Sequence, residues 1–501
     1  MSVATPPRPA SPGSVPEAPA LSSAGALDDR PLRHPNTRSP QVMTRRAWWL
    51  IALNFLLPGS AQVLAGNRKL GRVGLTATIL VWVFVVAAVL ALLLAPTVLS
   101  TVFTQGWVLL ALQILLLAYA VLWVVLLIDT LRLVRLVRTR PRARAGIAVL
   151  AIAGTVLASG TAVYGAQQLL GPAREALGAI FANNAPPVPP SDGYYNFLLL
   201  GADSGLGRDS MRFDSISVVS VNAASGAVTI TGIPRDLQNV PFSEGPMQEL
   251  YPNGLEGHSS QTCGWGAGIN QLMNAVETCQ PNRGADIYPD AATSHTTPAV
   301  EATRDAAQGI LGIEIPYYVF VDMKGFADIV DALGGVDITV QERLPEGGGP
   351  TYHNQPAEEW ATGWIEAGPQ HMDGDTAQWY ARSRYTTSDW DRMRRQRELQ
   401  QAILAQANPQ NVLTHFGEIA KAGQDLVQTD IPDALLPFLI DLALKAKEQP
   451  VQTIELTPEG LQVYGVPGFD PDAPDADDWA FIRDLVQTTL HPPTPTPTPQ
   501  P

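Results

Sequence analysis

The sequence predicts an α/β domain with a single central β-sheet, preceded by a transmembrane helical anchor. Three observations predict it. The charge is unevenly divided: residues 1–175 hold 16 Lys/Arg and 5 Asp/Glu, whereas residues 176–501 hold 17 and 42. The basic part is also the apolar part, with several stretches long enough to cross a bilayer at roughly 20 residues each. Beyond residue 194, short β-rich runs alternate with stretches of helical spacing, the pattern of a sheet packed between helices. The formal net charge of −14 makes an acidic outer domain that repels a phosphate backbone, so no nucleic-acid partner is expected.

Residues 1–42 are rich in Pro, Ala and Ser with little apolar periodicity and read as a disordered cytoplasmic tail. The anchor spans 43–172. Val73 to Ala95, Trp107 to Ile128 and Gly146 to about Leu169 are the predicted spans. AWWLIALNFLLPGSAQVLAG (47–66) is interrupted by Pro58, Gly59, Ser60 and Gln62 and reads as an interfacial or re-entrant helix, with a fourth span as the alternative. DTLRLVRLVRTRPRARAG, following Ile128, carries six arginines and should be cytoplasmic, as should NRKLGR (67–72) and the Arg45-Arg46 flank. The uncharged APTVLSTVFTQG (95–106) should face outward. Three crossings then place everything after about residue 170 outside: a multi-pass protein of the cell membrane with an extracytoplasmic domain. Residues 173–193, ending in APPVPPSDG, form a linker. The outer domain is 194–490, and 491–501 is a Pro/Thr-rich tail.

Within the outer domain, YNFLLLG (195–201), SISVVSVN (215–222) and AVTITGI (227–233) are predicted strands. INQLMNAVETC (269–279) and AVEATRDAAQGIL (299–311) have helical spacing. YYVFVD (317–322) is a strand, GFADIVDAL (325–333) a helix and VDITV (336–340) a strand. DGDTAQWYARSR (373–384) starts as a helix, and DWDRMRRQRELQQAILAQA (389–407) is a long one. Helices should continue through 411–447, with a strand near VQTIEL and a last helix near DDWAFIRDLVQTTL. Cys263 and Cys279 are predicted to form a disulfide closing a loop of about 17 residues, worth about 3 kcal/mol; the alternative is two unrelated thiols.

Four places carry potential chemistry. In GADSGLGRDSMRFDS (201–215), Asp203 follows a strand while Arg212 and Asp214 open the next. Two carboxylates at adjacent strand ends can share a hard divalent cation, though Asp in Gly-rich turns is common. GIPRDL (232–237) sets Arg235 and Asp236 at the end of the third strand, where a loop ion pair is the simpler reading. Six arginines lie between Arg382 and Arg397 in this acidic domain. Arg382 and Arg384, two apart, face the same way in an extended turn. Asp389, Arg392 and Gln396 share a helix face. Arginine forks suit phosphate oxygens; the competing reading, above all for Arg394, Arg395 and Arg397, is a solvated helix face. Trp379 and Tyr380 read as core first and as the wall of an acyl-chain groove second.

The order LLLGADS…RFDS, IPRDL, YYVFVDMKGFADIVDALGGVDI, YARSR…DWDRMRRQ resembles the LytR-CpsA-Psr family of cell-envelope phosphotransferases over roughly residues 194–407. PGSAQVLAGNRKLGR is similar to the multi-span anchors of actinobacterial members. The resemblance implies a central mixed β-sheet flanked by helices, with a hydrophobic tunnel for a polyprenyl tail. It implies transfer of a glycopolymer from a polyprenyl-pyrophosphate carrier to a peptidoglycan hydroxyl, outside the membrane. Asp203 and Asp214 resemble the family's magnesium (Mg2+) ligands. Arg212, Arg235, Arg382, Arg384 and Arg392 resemble its pyrophosphate-holding arginines, with Gln396 beside them and Asp389 as their acidic partner. Asp236 and Asp389 are the carboxylates available as general base. The chain departs from the family at Gly268, where members often carry lysine, and 281–298 looks like an insertion. Two other expectations compete: a hydrolase using water as acceptor, and a lipid-binding envelope regulator of the attenuator type.

Overall fold

The structure, a computed structural model, describes residues 32–33, 35, 37–95, 102–103, 105–181, 185–202, 212–347, 349–406, 427–466 and 468–492. The expected tails therefore fall largely outside the described residues. The chain divides into two compact units, Met1–Val86 with Leu117–Val163, and Ala87–Leu116 with Tyr164–Pro501.

In the first unit, helix Pro40–Leu56 begins with proline at its first turn, behind Ser39, whose side chain accepts from Val42 N. It stops at Pro58-Gly59. Gly59 has φ 96°, and a Cβ there would lie 2.4 Å from Leu75 N, so only glycine fits the turn. Helix Ser60–Ala65 follows, pinned by buried Gln62, which donates to Leu126 O at 2.9 Å and Thr130 Oγ1 at 2.8 Å. Segment 47–66 is thus a bent pair of helices.

Among the described residues, three helices are long and apolar enough to cross a membrane: Arg68–Leu94, Gly106–Arg138 and Pro141–Ile180. They contain the three predicted spans. Trp82, Leu93, Leu115 and Leu157 on them are each at least 60% exposed, apolar surface that a bilayer would cover. The third helix runs to Ile180, so the expected linker begins as helix.

The second unit contains the predicted α/β domain. Strands β1 (Tyr194–Ala202), β2 (Phe213–Asn222) and β3 (Val228–Ile233) form an antiparallel meander. A small hairpin, β4 (His258–Ser259) and β5 (Gly264–Trp265), precedes helix α1 (Pro298–Leu311). Then come β6 (Tyr317–Asp322), α2 (Met323–Ala332), β7 (Val336–Val340), β8 (Leu344–Glu346), β9 (Gly363–Ile365) and β10 (Gly368–Met372). Helices α3 (Gly374–Arg382) and α4 (Asp389–Gln406) are followed by β11 (Val427–Thr429), α5 (Leu436–Ala446), β12 (Val451–Glu455) and α6 (Ala476–Leu490). The main sheet is mixed, in the order β11-β6-β1-β2-β3-β12, with β1–β6 and β3–β12 parallel.

Side chains alternate across the sheet and define its two cores. Leu198, Leu200, Ile216 and Val218 pack with Ala306 and Ile310 of α1 and Ile482 and Val486 of α6. Tyr195, Phe197, Val221 and Ile230 pack on the other face with Leu436 and Leu442 of α5, and with Leu404 of α4. Burial of β1 on both faces explains its nearly continuous apolar run. A third cluster joins Val330, Val336, Leu344, Met372, Tyr380 and Leu399, fixing α2, α3 and α4 on the β7–β10 pair.

Two expected elements differ. The helix over 269–279 is split into a 3-10 turn, Ile269–Gln271, and a π turn, Asn274–Thr278. Buried Glu277 there accepts from Ala299 N at 2.8 Å at the start of α1, and Cys279 is bonded to Cys263, so tertiary ties outweigh the helical period. The helical continuation over 411–447 is interrupted by β11, which extends the sheet at β6; Thr429 Oγ1 donates to Tyr318 O at 2.5 Å. Positions 411–426 lie outside the described residues.

Candidate active site

The ends of β2, β3, α3 and α4 meet at a cavity of ≈ 580 Å³. Arg212, Asp214, Arg235, Asp236, Arg382, Arg384, Arg392 and Gln396 line it, so motifs far apart in sequence converge. Asp203 lies outside the described residues.

Asp214 owes its position to a β-bulge. Gly201 pairs with Ser215 and Ala202 with Phe213, leaving Asp214 as the extra residue. A bulge re-aims the side chain it frees, and Asp214 Oδ1 accepts from Arg235 Nη1 at 2.6 Å. Arg235 sits on the turn that closes β3, where Leu237 N donates to Pro234 O at 3.1 Å. Its guanidinium also meets Asp236 at 3.2 Å and Asp389 at 3.7 Å. Burial works against its charge, but the Asp214 hydrogen bond and the three carboxylates outweigh that and hold its pKa above the ordinary arginine value.

Helix α4 brings Asp389 and Arg392 together at i and i+3, with Arg392 Nη2 donating to Asp389 Oδ2 at 3.0 Å. Arg384 Nη1 stands 3.9 Å from Asp389 Oδ1. Arg392 is only 6% exposed. Burial lowers its pKa, and Asp389 opposes that shift. Three buried atoms here, Arg392 Nε, Asp389 Oδ1 and Gln396 Oε1, have no hydrogen-bond partner among the described residues. Such groups are rare in native interiors; Arg397 Nε and Nη2 and both Glu455 oxygens, which do not line the cavity, share the condition.

The turn between α3 and α4 is fixed from below. Ser383 is buried and donates to Pro345 O at 3.0 Å, while Arg382 and Arg384 on either side line the cavity. Arg395 holds the same turn: its guanidinium donates to Tyr380 O, Ser383 O and Thr387 Oγ1. This corrects the solvated-face expectation. Arg394 fits it, half-exposed and paired with Asp391 and Glu398. Arg395 and Arg397 are each 3% exposed, because carbonyls and Glu455 replace water around them. Tyr380 is core, as expected, whereas Trp379 lines the cavity.

Asn270 and Gln271 were not singled out in the sequence. Both line the cavity, and Asn270 Nδ2 donates to Asp236 Oδ1 at 2.8 Å. They follow Gly268, so amides stand beside the position where the family often carries lysine. The Cys263–Cys279 disulfide forms and closes the loop that carries them. Among the described residues there is no group of three or more His, Cys, Asp or Glu placed to hold a metal. Asp214, 30% exposed with one oxygen engaged by Arg235, is the described carboxylate whose hard oxygen donors suit a cation such as magnesium.

The family described as LytR_cpsA_psr matches residues 282–480, which takes in the segment read as an insertion and leaves the β1 to β3 motifs outside the match. The chain is 27% identical over 238 residues to a Bacillus cereus protein named polyisoprenyl-teichoic acid–peptidoglycan teichoic acid transferase TagU. That match covers 47% of this chain and 60% of the relative's length. A Halalkalibacterium halodurans protein of the same name is 25% identical over 276 residues, covering 54% of this chain and 72% of its own. Among solved structures, Bacillus subtilis TagV shares 21% identity at a TM-score of 0.38, covering 59% of this chain and 97% of that one. Residues 282–480 are thus similar to the LytR_cpsA_psr family, and the relatives that the chain matches are teichoic acid transferases by name.

Proposed function

We propose that the protein transfers a glycopolymer from a polyprenyl-pyrophosphate carrier to a hydroxyl of peptidoglycan, making a phosphodiester link. The observation that carries this reading is the cavity wall, where five arginines, Arg212, Arg235, Arg382, Arg384 and Arg392, gather in an acidic domain and Arg392 Nε lacks a hydrogen-bond partner among the described residues. A pyrophosphate diester carries two negative charges and supplies the acceptors that Arg392 needs. The names of the relatives, which are teichoic acid transferases, support the same reading.

In this reading Arg235, Arg382, Arg384 and Arg392 hold the pyrophosphate and stabilise the polyprenyl phosphate as it leaves. The acceptor oxygen forms the new P–O bond, the bond to the departing polyprenyl phosphate breaks, and the hydroxyl proton passes to a carboxylate. Asp236 is placed for that proton, since it is 59% exposed at the cavity, whereas Asp389 is engaged by Arg392 and faces two further guanidiniums. Asn270 and Arg235 orient Asp236. Magnesium, held by Asp214 with Asp203, would add Lewis-acid charge at the phosphate. The three apolar helices would anchor the protein in the cell membrane, with the domain on the outer face.

The test uses full-length protein in detergent with a polyprenyl-pyrophosphoryl disaccharide and peptidoglycan fragments, with and without magnesium. The readouts are release of polyprenyl phosphate and coupling of the glycan. Magnesium-dependent release and coupling are expected, both falling about a hundredfold or more in Asp203→Ala and Arg382→Ala. Release without coupling would make it a hydrolase. Lipid bound without release would make it a binding protein.

A further inference from the structure

One wall of the cavity is aromatic and is not used by the chemistry above. Trp360, Trp379 and Tyr385 line it. Trp360 and Tyr385 meet edge to face, with ring centroids 4.8 Å apart and planes at 61°. Tyr385 is 57% exposed. Trp379 stands beside the arginines, with the Arg382 guanidinium 5.2 Å from its ring centroid. The buried Nε1 of Trp360 has no hydrogen-bond partner among the described residues, although a buried indole N–H ordinarily has one.

We propose that this aromatic wall is a pyranose-binding subsite. The inference rests on the transferase reading and names the sugar contact of the same cavity. A pyranose ring presents axial C–H groups on one face and hydroxyls at its rim. The C–H face packs on an aromatic π-face, whose quadrupole is negative. The rim hydroxyls accept from an N–H such as that of Trp360. A purely structural aromatic cluster would enclose its rings and satisfy the indole; here one ring stays open and the N–H stays unpaired. Whatever sugar joins the phosphate held by Arg382 and Arg384 must leave past neighbouring side chains; Tyr385 follows Arg384 in the chain, and the Trp379 ring centroid lies 5.2 Å from the Arg382 guanidinium. The same chemistry serves a donor sugar on the pyrophosphate or an acceptor sugar of peptidoglycan.

The experiment measures affinity of full-length protein in detergent, wild type against Trp360→Ala, Tyr385→Ala and Trp360→Phe. Three probes are used: polyprenyl pyrophosphate without sugar, polyprenyl-pyrophosphoryl disaccharide, and a muramyl-containing peptidoglycan disaccharide. Bare lipid pyrophosphate should bind all four proteins alike, which also shows that the variants fold. The alanine variants should bind one sugar probe about tenfold more weakly. Loss with the lipid disaccharide assigns the wall to the donor, and loss with the peptidoglycan fragment assigns it to the acceptor. Trp360→Phe should keep part of the affinity, having a ring without the N–H. Sugar probes bound equally by wild type and alanine variants would overturn the proposal. Failure of wild type to bind bare lipid pyrophosphate would instead overturn the transferase reading. The peptidoglycan arm then still decides the wall, upheld by Trp360-dependent binding and rejected without it.

Discussion

Arg392 and Arg397 lie on the same helix, and both are almost wholly inaccessible, at 6% and 3% exposure. Arg397 does not line the cavity: its Nε is 3.3 Å from Glu455 Oε1 and its Nη1 donates to Gln400 at 2.8 Å, while its Nε and Nη2 and both Glu455 oxygens lack a hydrogen-bond partner among the described residues. Arg392 faces the cavity, shares Asp389 with Arg235 and Arg384, and keeps an unpaired Nε. Burial pushes both pKa values down, so accessibility and charge do not separate them. What separates them is the cavity: Arg392 lines it and shares its carboxylate with two further guanidiniums, whereas Arg397 lies off it with Glu455 to itself. An arginine buried against its own carboxylate serves the fold, and one that shares a carboxylate on a cavity wall is available to a ligand.

The largest expected effect breaks the structural partner. Arg397→Met leaves Glu455 buried without a cation and should destabilise the domain by about 3–5 kcal/mol in denaturant unfolding. The double variant Arg397→Met/Glu455→Leu should recover most of that loss while transfer activity persists. If the double variant unfolds as readily as the single, the pair is not a separable structural unit.

Arg392→Gln should do the opposite. Lipid-pyrophosphate cleavage should fall about 10²–10³-fold, because one preorganised donor is lost where charge develops. The unfolding midpoint should hold or rise, since a buried and incompletely matched charge is removed. A drop in stability as large as that of Arg397→Met would erase the contrast between the two arginines.

The disulfide lies between these cases, since it is structural yet carries site residues. Replacing Cys263 and Cys279 by serine should lower stability by about 3 kcal/mol. It should also weaken lipid-pyrophosphate binding modestly, because Asn270 and Gln271 ride on the closed loop. Calorimetry on both proteins checks the two effects separately.

The smallest effect concerns Asp305, a buried carboxylate that accepts from Tyr288 Oη at 2.6 Å and Ser243 Oγ at 3.4 Å. Burial raises its pKa above 3.8, and the hydrogen bonds from Tyr288 and Ser243 only partly offset that. The folded state therefore binds the proton more tightly than the unfolded one. Its contribution to stability is complete below the unfolded value and lost as pH rises through the folded value. Asp305→Asn should flatten that fall, seen as a gain in melting temperature at neutral pH relative to mildly acidic pH. A gain that is the same at every pH would contradict the assignment.

Strands β1, β2, β3, β6, β7 and β12, helices α1 to α4 and the charged cavity residues were legible because they depend on local signals: alternation, helical period and arginines at short spacing. β6 and β7 fall on the predicted residues, and the converging arginines are those the motifs named. What was not legible depends on distant partners. Arg395 and Arg397 look like a solvated face until the Tyr380 and Ser383 carbonyls and Glu455 are placed around them. The bulge that frees Asp214 exists only in the register between β1 and β2. Trp360 reaches the cavity from the segment between β8 and β9, which has no periodicity to announce it.

The central claim is that the arginines lining the cavity hold a pyrophosphate. The most direct measurement is the affinity of full-length protein for three lipids of one chain length, ending in pyrophosphate, monophosphate or alcohol. The expected order is pyrophosphate above monophosphate above alcohol, with the spread collapsing in Arg392→Gln and surviving in Arg397→Met/Glu455→Leu. Equal affinity for pyrophosphate and alcohol in the wild type, or an order untouched by Arg392→Gln, would contradict it.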